Sequence, residues 1–243
     1  MKKGFTLFLL VLSVSAFAQK KVLDHTVYDS WQSIKEVTYQ PHGKFVVYAI
    51  TPQEGDAQLV VKNLASNAEF IIDRGAQPVF SEDGQFLVAK IKPFFADTRK
   101  AKMDKKKADD MPKDSLVIMN MTSQTIEKIP SVKNFQLAEH GNGILAYLKD
   151  KKGDINKEGA DLVLRDLNST TTRTYSNIAS YSIHPKSLSV AMYQVKTKSS
   201  ESKVLVASIV DTVGKVISNN FYTVTGLVWH EDGNKLAYLI EQD

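Results

Sequence analysis

Apolar residues along this chain fall in short runs, each preceded by a polar turn, and the pair recurs five times. The clearest copies are Tyr39-Gln-Pro-His-Gly43-Lys-Phe-Val-Val-Tyr48, Phe80-Ser-Glu-Asp-Gly84-Gln-Phe-Leu-Val-Ala89 and Trp229-His-Glu-Asp-Gly233-Asn-Lys-Leu-Ala-Tyr238. Two looser copies lie between them, Leu137-Ala-Glu-His-Gly141-Asn-Gly-Ile-Leu-Ala-Tyr147 with one extra residue, and Ile183-His-Pro-Lys-Ser187-Leu-Ser-Val-Ala-Met192. A second apolar run follows in each period: Leu59–Leu64, Leu116–Met121, Leu162–Leu167 and Val204–Ile209. Its fifth position is Asn, Asp or Ser, whose short side chain bonds nearby backbone and starts a turn. A third run, as in Glu69–Ile72 and Thr125–Ile129, then returns. Helical spacing of apolar residues is almost absent, so each unit reads as strands joined by hairpins.

From Gly43 the repeat advances by 41 residues to Gly84, by 57 to Gly141, by 46 to Ser187 and by 46 to Gly233. A period of roughly 40 to 50 residues is that of one four-stranded propeller blade. The expectation is an all-β fold, a β-propeller of about four blades plus the first strand of a fifth, occupying residues 19–243. Its units start near 36, 77, 134, 180 and 226. Because a propeller closes by pairing its last blade with its first, this count predicts a part of a larger, closed propeller.

Residues 1–18 have the parts of a secretory signal: Lys2 and Lys3, an apolar stretch from Phe5 to Val14, and Ala16-Phe17-Ala18 as a cleavage site. Cleavage after Ala18 is predicted, with export to the periplasm or beyond. The apolar run is shorter than the ~20 residues of a spanning helix, so no stable membrane span is expected after cleavage. The chain has no Cys, which excludes disulfides, thiolate metal sites and a lipidated cysteine.

Loss of residues 1–18 removes two lysines and no acid, lowering the formal charge from +4 to +2. So balanced a chain gives no case for nucleic acid as partner. Most of the local basic excess lies between Arg99 and Lys113, inside a charged insertion at 95–113 that lengthens the second period. With both signs present it reads as a solvated loop. The alternative is docking to an acidic or membrane surface.

Candidate chemistry is sparse. His42, His140, His184 and His230 fall inside the repeated turn but in two different columns, on units spread around a ring, whereas a metal needs convergent ligands. They read as turn or packing residues. The Asp83-Gly84 and Asp232-Gly233 pairs lack the further ligands of a calcium loop. The Glu82-Asp83 and Glu231-Asp232 carboxylates are adjacent and point apart. Trp229 shares a column with Tyr39, Phe80, Leu137 and Ile183 that reads as core, and Trp31 takes the same packing reading. There is no Gly-x-Ser-x-Gly elbow, His-Glu-x-x-His helix, Walker loop or dinucleotide fingerprint. No catalytic residue, metal ligand or cofactor is assigned, and substrate-binding residues are unknown at this level.

The turn-and-strand repeat resembles those of periplasmic TolB-like proteins and of prolyl oligopeptidase family peptidases. Val22-Leu-Asp-His-Thr-Val-Tyr-Asp-Ser-Trp-Gln-Ser-Ile34 and Asp109-Asp-Met-Pro-Lys-Asp-Ser-Leu116 narrow the likeness. They are similar to the amino-terminal part of exported serine peptidases of the prolyl oligopeptidase / dipeptidyl peptidase IV family from Bacteroidetes-type bacteria. The resemblance implies a carboxy-terminal α/β-hydrolase domain beyond residue 243 carrying a Ser-His-Asp triad, and a propeller that covers the active site and restricts entry to short or unfolded peptides. The alternative is a non-catalytic TolB-like propeller that binds a protein partner.

Overall fold

Strands that are apolar at every position need cover on both faces, and the structure provides it by stacking one sheet on the next. The computed structural model describes residues 27–28, 31–140, 143–151, 153, 155–169, 171–198, 201–211, 213–219 and 223–241. The proposed signal segment 1–18 and Gly141 lie outside the described residues.

The first sheet runs β1 (Gln32–Tyr39), β2 (Phe45–Pro52), β3 (Gln58–Asn63), β4 (Glu69–Asp73); the second runs β5 (Gly75–Phe80), β6 (Phe86–Ile91), β7 (Ser115–Asn120), β8 (Ile126–Ile129). The third has seven strands: β9 (Val132–Leu137), β10 (Ile144–Lys149), β11 (Ala160–Asp166), β12 (Thr172–Ile183), β13 (Ser189–Gln194), β14 (Lys203–Ser208) and β15 (Lys215–Asn219). It holds two blades, because β12 pairs with β11 up to Ile178 and with β13 from Ile178 onward. One strand thus closes the third blade and opens the fourth. β16 (Thr223–Trp229) and β17 (Leu236–Glu241) belong to the fifth. All pairs are antiparallel and sequential, the architecture of a β-propeller.

Each blade has one more strand than its apolar runs mark. The strand before the turn is the innermost, and in two blades it is rich in polar residues: Gln32, Ser33, Lys35 and Glu36 in β1, Lys133, Asn134 and Gln136 in β9. The fifth unit correspondingly has two described strands where the apolar pattern alone marks one.

Alternation along the middle strands assigns each side chain to one interface. Phe45, Val47 and Ala49 of blade 1 meet Leu87, Ala89 and Ile91 of blade 2, while Phe86 and Val88 turn the other way onto Leu145 and Tyr147 of blade 3. Leu148, Leu162, Ile178 and Met192 fill the third interface, and Tyr193, Val204 and Val224 the fourth. Between blades the chain turns a left-handed corner at Arg74, Ser131 and Asn177, with φ of 60°, 56° and 60°. In each case the corner carbonyl accepts a backbone N–H from the strand end beside it, from Lys92 (2.8 Å), Asp150 (2.7 Å) and Val195 (2.9 Å). That bond holds a conformation costly for residues other than Gly.

The charged insertion is not a solvated loop throughout. Residues Phe95–Met103 form a helix, α1, whose first N–H is capped by Asp56 Oδ1 at 2.8 Å. Its Ala101 is buried, Arg99 pairs with Glu54 at 3.2 Å, and the Arg74 guanidinium stacks 3.8 Å over the Phe94 ring. Charge patterning suggested a loop because the anchoring groups come from blade 1, about 40 residues away in sequence.

Candidate functional site

Two features converge on the propeller axis: the ring of repeated turns, and the cleft the inner strands enclose. The turns are self-supporting. Buried Ser81 donates to Asp83 Oδ1 (2.6 Å) and accepts from Phe86 N (2.9 Å), and Asp83 also accepts from Gln85 N (3.0 Å). Gly43, Gly84 and Gly233 supply the positive φ that this turn needs (68°, 64° and 72°).

The turns also bond their neighbours, and here the histidines find their role. His42 Nε2 donates to Asp83 O (3.1 Å), and His140 Nδ1 lies 3.1 Å from Glu82 Oε1. His184 Nε2 donates to Gly233 O (2.7 Å) while its Nδ1 accepts from Lys186 N (2.9 Å). Gln40, in the first turn, sends Nε2 to Gly84 O (2.6 Å). These bonds tie blade 1 to 2, 2 to 3 and 4 to 5. Among the described residues no three His, Asp or Glu side chains are placed to share a metal ion.

The inner strands enclose a cleft of about 890 Å³, bordered by Gln77 and Val79 of β5, Asn134 to Leu137 of β9, Ser182 and Ile183 of β12, and Val228 and Trp229 of β16. β5, β9 and β16, and β12 beyond Ile178, each pair with one neighbour only, leaving the other edge without a strand partner among the described residues. The strands are also bulged. Glu36 and Gln77 sit at equivalent register breaks with φ of 53° and 55°, and Gly226 occupies the same place in β16 with φ of 65°. Bulges with left-handed residues re-aim side chains and gather at functional surfaces. Here Glu36 Oε2 reaches across to accept Gln77 N at 2.7 Å. Gln136 Oε1 accepts Ile183 N (3.2 Å), so blades 3 and 4 are joined along the axis as well. Glu139 and Glu231 also border the cleft, and Lys90 Nζ, on the same border, is committed to Lys133 O (2.7 Å) and Asp114 (3.1 Å).

The two tryptophans depart from a simple core reading. Trp229 is half-buried at the cleft, donates Nε1–H to Ser182 O (3.1 Å) and lies 4.7 Å from the His184 ring. In its column Phe80, Leu137 and Ile183 do pack at blade interfaces, but Tyr39 is 67% exposed. Trp31 is 56% exposed and meets Tyr28 edge-on at 4.9 Å, outside any core. Inner strands face space instead of another sheet, so an aromatic there has no second layer to enter.

Away from the axis, Arg165 and Glu127 join blades 3 and 2 by two parallel bonds of 2.7 Å. This fork holds the Glu127 carboxyl below its ordinary range and raises the arginine. Tyr181 is buried, donates to Ala146 O (3.3 Å), and is pushed well above the usual phenol range by burial. The arrangement offers amides, free strand edges and apolar walls for binding.

No family model matches the chain, and no curated protein matches it. Solved structures do. A eukaryotic initiation factor superposes with a TM-score of 0.53 at 18% identity, over 95% of this chain and 54% of that one. The β-propeller domain of the Trilobed protease from Pyrococcus furiosus gives 0.49 at 12% identity, over 82% and 61%. TolB from Acinetobacter baumannii gives 0.39 at 12%, over 79% and 45%. The chain therefore spans about half the length of the solved chains it matches, and the likeness is one of fold. No helix among the described residues is long and apolar enough to cross a membrane.

Proposed function

We propose that the chain is the propeller part of a secreted serine peptidase of the prolyl oligopeptidase family, where it gates and positions peptides for a carboxy-terminal α/β-hydrolase domain. Residues 1–18 act as the export signal, and the chain alone hydrolyses nothing. The observation that carries this reading is the axial cleft. Unpaired inner-strand edges from four blades border one space, and an extended peptide is the ligand whose backbone matches such edges. Its volume falls in the range of clefts that take small ligands. Val79, Ile183, Val228 and Trp229 give apolar contacts for side chains, and Gln77, Asn134 and Gln136 offer amide groups. Glu139 and Glu231 put negative charge on the cleft's border, suited to a peptide's amino terminus.

The same cleft would serve a non-catalytic, TolB-like propeller binding a protein partner, and the coding sequence separates the two. Translated past codon 243, the reading frame is expected to continue through further blades into a Gly-x-Ser-x-Gly turn followed by Asp and His. A stop codon reached without that elbow would sink the peptidase reading and leave the binding propeller.

A further inference from the structure

The insertion in the second blade has no part in the axial cleft, yet the fold presents it with care. Asp56, Glu54, Arg74 and the buried Ala101 fix α1 against the edge of blades 1 and 2. At its other end the helix is stopped by a paired set of backbone bonds, Lys106 N to Ala101 O (3.0 Å) and Lys105 N to Lys102 O (3.0 Å), with Lys105 left-handed at φ 51°. This is the Schellman arrangement, and it sets the direction of the chain beyond the helix.

What is held there is a concentrated positive charge. Arg99 to Lys107 contains six cations and one acid, Asp104. Arg99 is engaged by Glu54, but Lys100, Lys102, Lys105, Lys106 and Lys107 are all exposed, and none pairs with a carboxylate of the described residues. Met103 stands among them 74% exposed. Five like charges packed into eight residues repel one another, and although Asp97, Asp109 and Asp110 flank them, residues 95–113 keep a net charge of +3.

We propose that α1 and its C-terminal turn form an electrostatic docking surface for an anionic lipid bilayer. Three observations favour a bilayer over an acidic protein. The free cations are all lysines, point charges suited to a fluid array of phosphates, where arginine would supply the planar fork for fixed carboxylates. They are spread over α1 and the turn that follows it, every one of them exposed. Met103, 74% exposed at the end of α1, adds an apolar side chain that lies among them in sequence.

The test is co-sedimentation of the full chain with vesicles of phosphatidylcholine alone and of phosphatidylcholine mixed with phosphatidylglycerol. The readout is the ratio of the two partition coefficients, compared between wild type and variants so that the contribution of residues 1–18, which all of them share, cancels. The ratio should favour the anionic vesicles strongly and collapse in about 0.5 M salt. Neutralising Lys105→Gln, Lys106→Gln and Lys107→Gln together should lower it on the order of a hundredfold, since each lysine near an anionic surface is worth about fivefold in binding. The corresponding triple Arg variant should retain it. A ratio near one for the wild type, or an undiminished ratio for the Gln variant, would overturn the proposal. So would capture on immobilised polyglutamate without any preference for anionic vesicles, which would assign the surface to an acidic protein.

Discussion

Two glycines with the same backbone but different surroundings isolate what the turn ring contributes. Gly43 and Gly233 hold equivalent turns at φ of 68° and 72°. A Cβ on Gly43 would meet open space, whereas a Cβ on Gly233 would fall within the His184 imidazole. Gly43→Ala therefore suffers only the left-handed backbone, about 1 kcal/mol once the stiffer unfolded chain is counted. Gly233→Ala suffers that and must also displace the imidazole, breaking its 2.7 Å bond to the Gly233 carbonyl and its contact with Trp229. The displaced ring and lost bond add about 1 to 2 kcal/mol. Urea denaturation followed by Trp229 fluorescence, in a Trp31→Phe background, reads the difference beside the perturbation. His184→Ala should remove the excess, so that Gly233→Ala in that background costs no more than Gly43→Ala. Equal losses for the two glycine variants with His184 present, or an excess that persists without it, would refute inter-blade bonding by the turns.

Three further outcomes follow from the same physics. Arg165→Ala should destabilise by about 1 kcal/mol at neutral pH, a modest value because Glu127 is half exposed and solvent screens the pair. The folded Glu127 carboxyl is depressed, so its contribution is present above the unfolded value near 4.5 and fades as pH falls below it; the gap between wild type and Arg165→Ala in urea should close there. Tyr181→Phe should cost about 1 kcal/mol near pH 7, since the Ala146 carbonyl loses its buried donor. The raised phenol stabilises the fold at pH below the unfolded value of 10 and progressively less above it, so wild type should lose stability through alkaline pH more steeply than Tyr181→Phe. Finally, Asp56→Ala should loosen α1 without unfolding the blades, seen as faster amide exchange at Phe95 to Thr98 with a melting temperature lowered by no more than about 3 °C.

How much of this was legible in the sequence depends on what each residue faces. The middle strands announce themselves, because a sheet covered on both sides writes an unbroken apolar run such as Phe45–Val47 or Leu116–Met119. Gly84 and Asp83 likewise mark their turn by chemistry that acts within four residues. The inner strands are silent for the opposite reason. Glu36, Gln77, Asn134 and Gln136 look like loop residues, yet they border or support the candidate site. The signal that could have found them is length: ahead of the turns lie stretches of six or more residues, enough for one further strand. The left-handed corners at Arg74 and Ser131 were equally hidden, since a bond from a strand some 20 residues on, not a glycine, holds each one. The fixing of α1 by Asp56 and Glu54 is long-range in the same way.

The central claim is that the axial cleft receives extended peptides for chemistry done elsewhere. It is tested most directly by titrating short unstructured peptides into the purified chain while following Trp229 fluorescence and, by mass, the integrity of each peptide. The account predicts a saturable fluorescence change that Trp229→Phe abolishes, and intact peptides throughout. Cleavage of any peptide by a chain free of contaminating activity, or peptide binding that leaves Trp229 untouched, would contradict it.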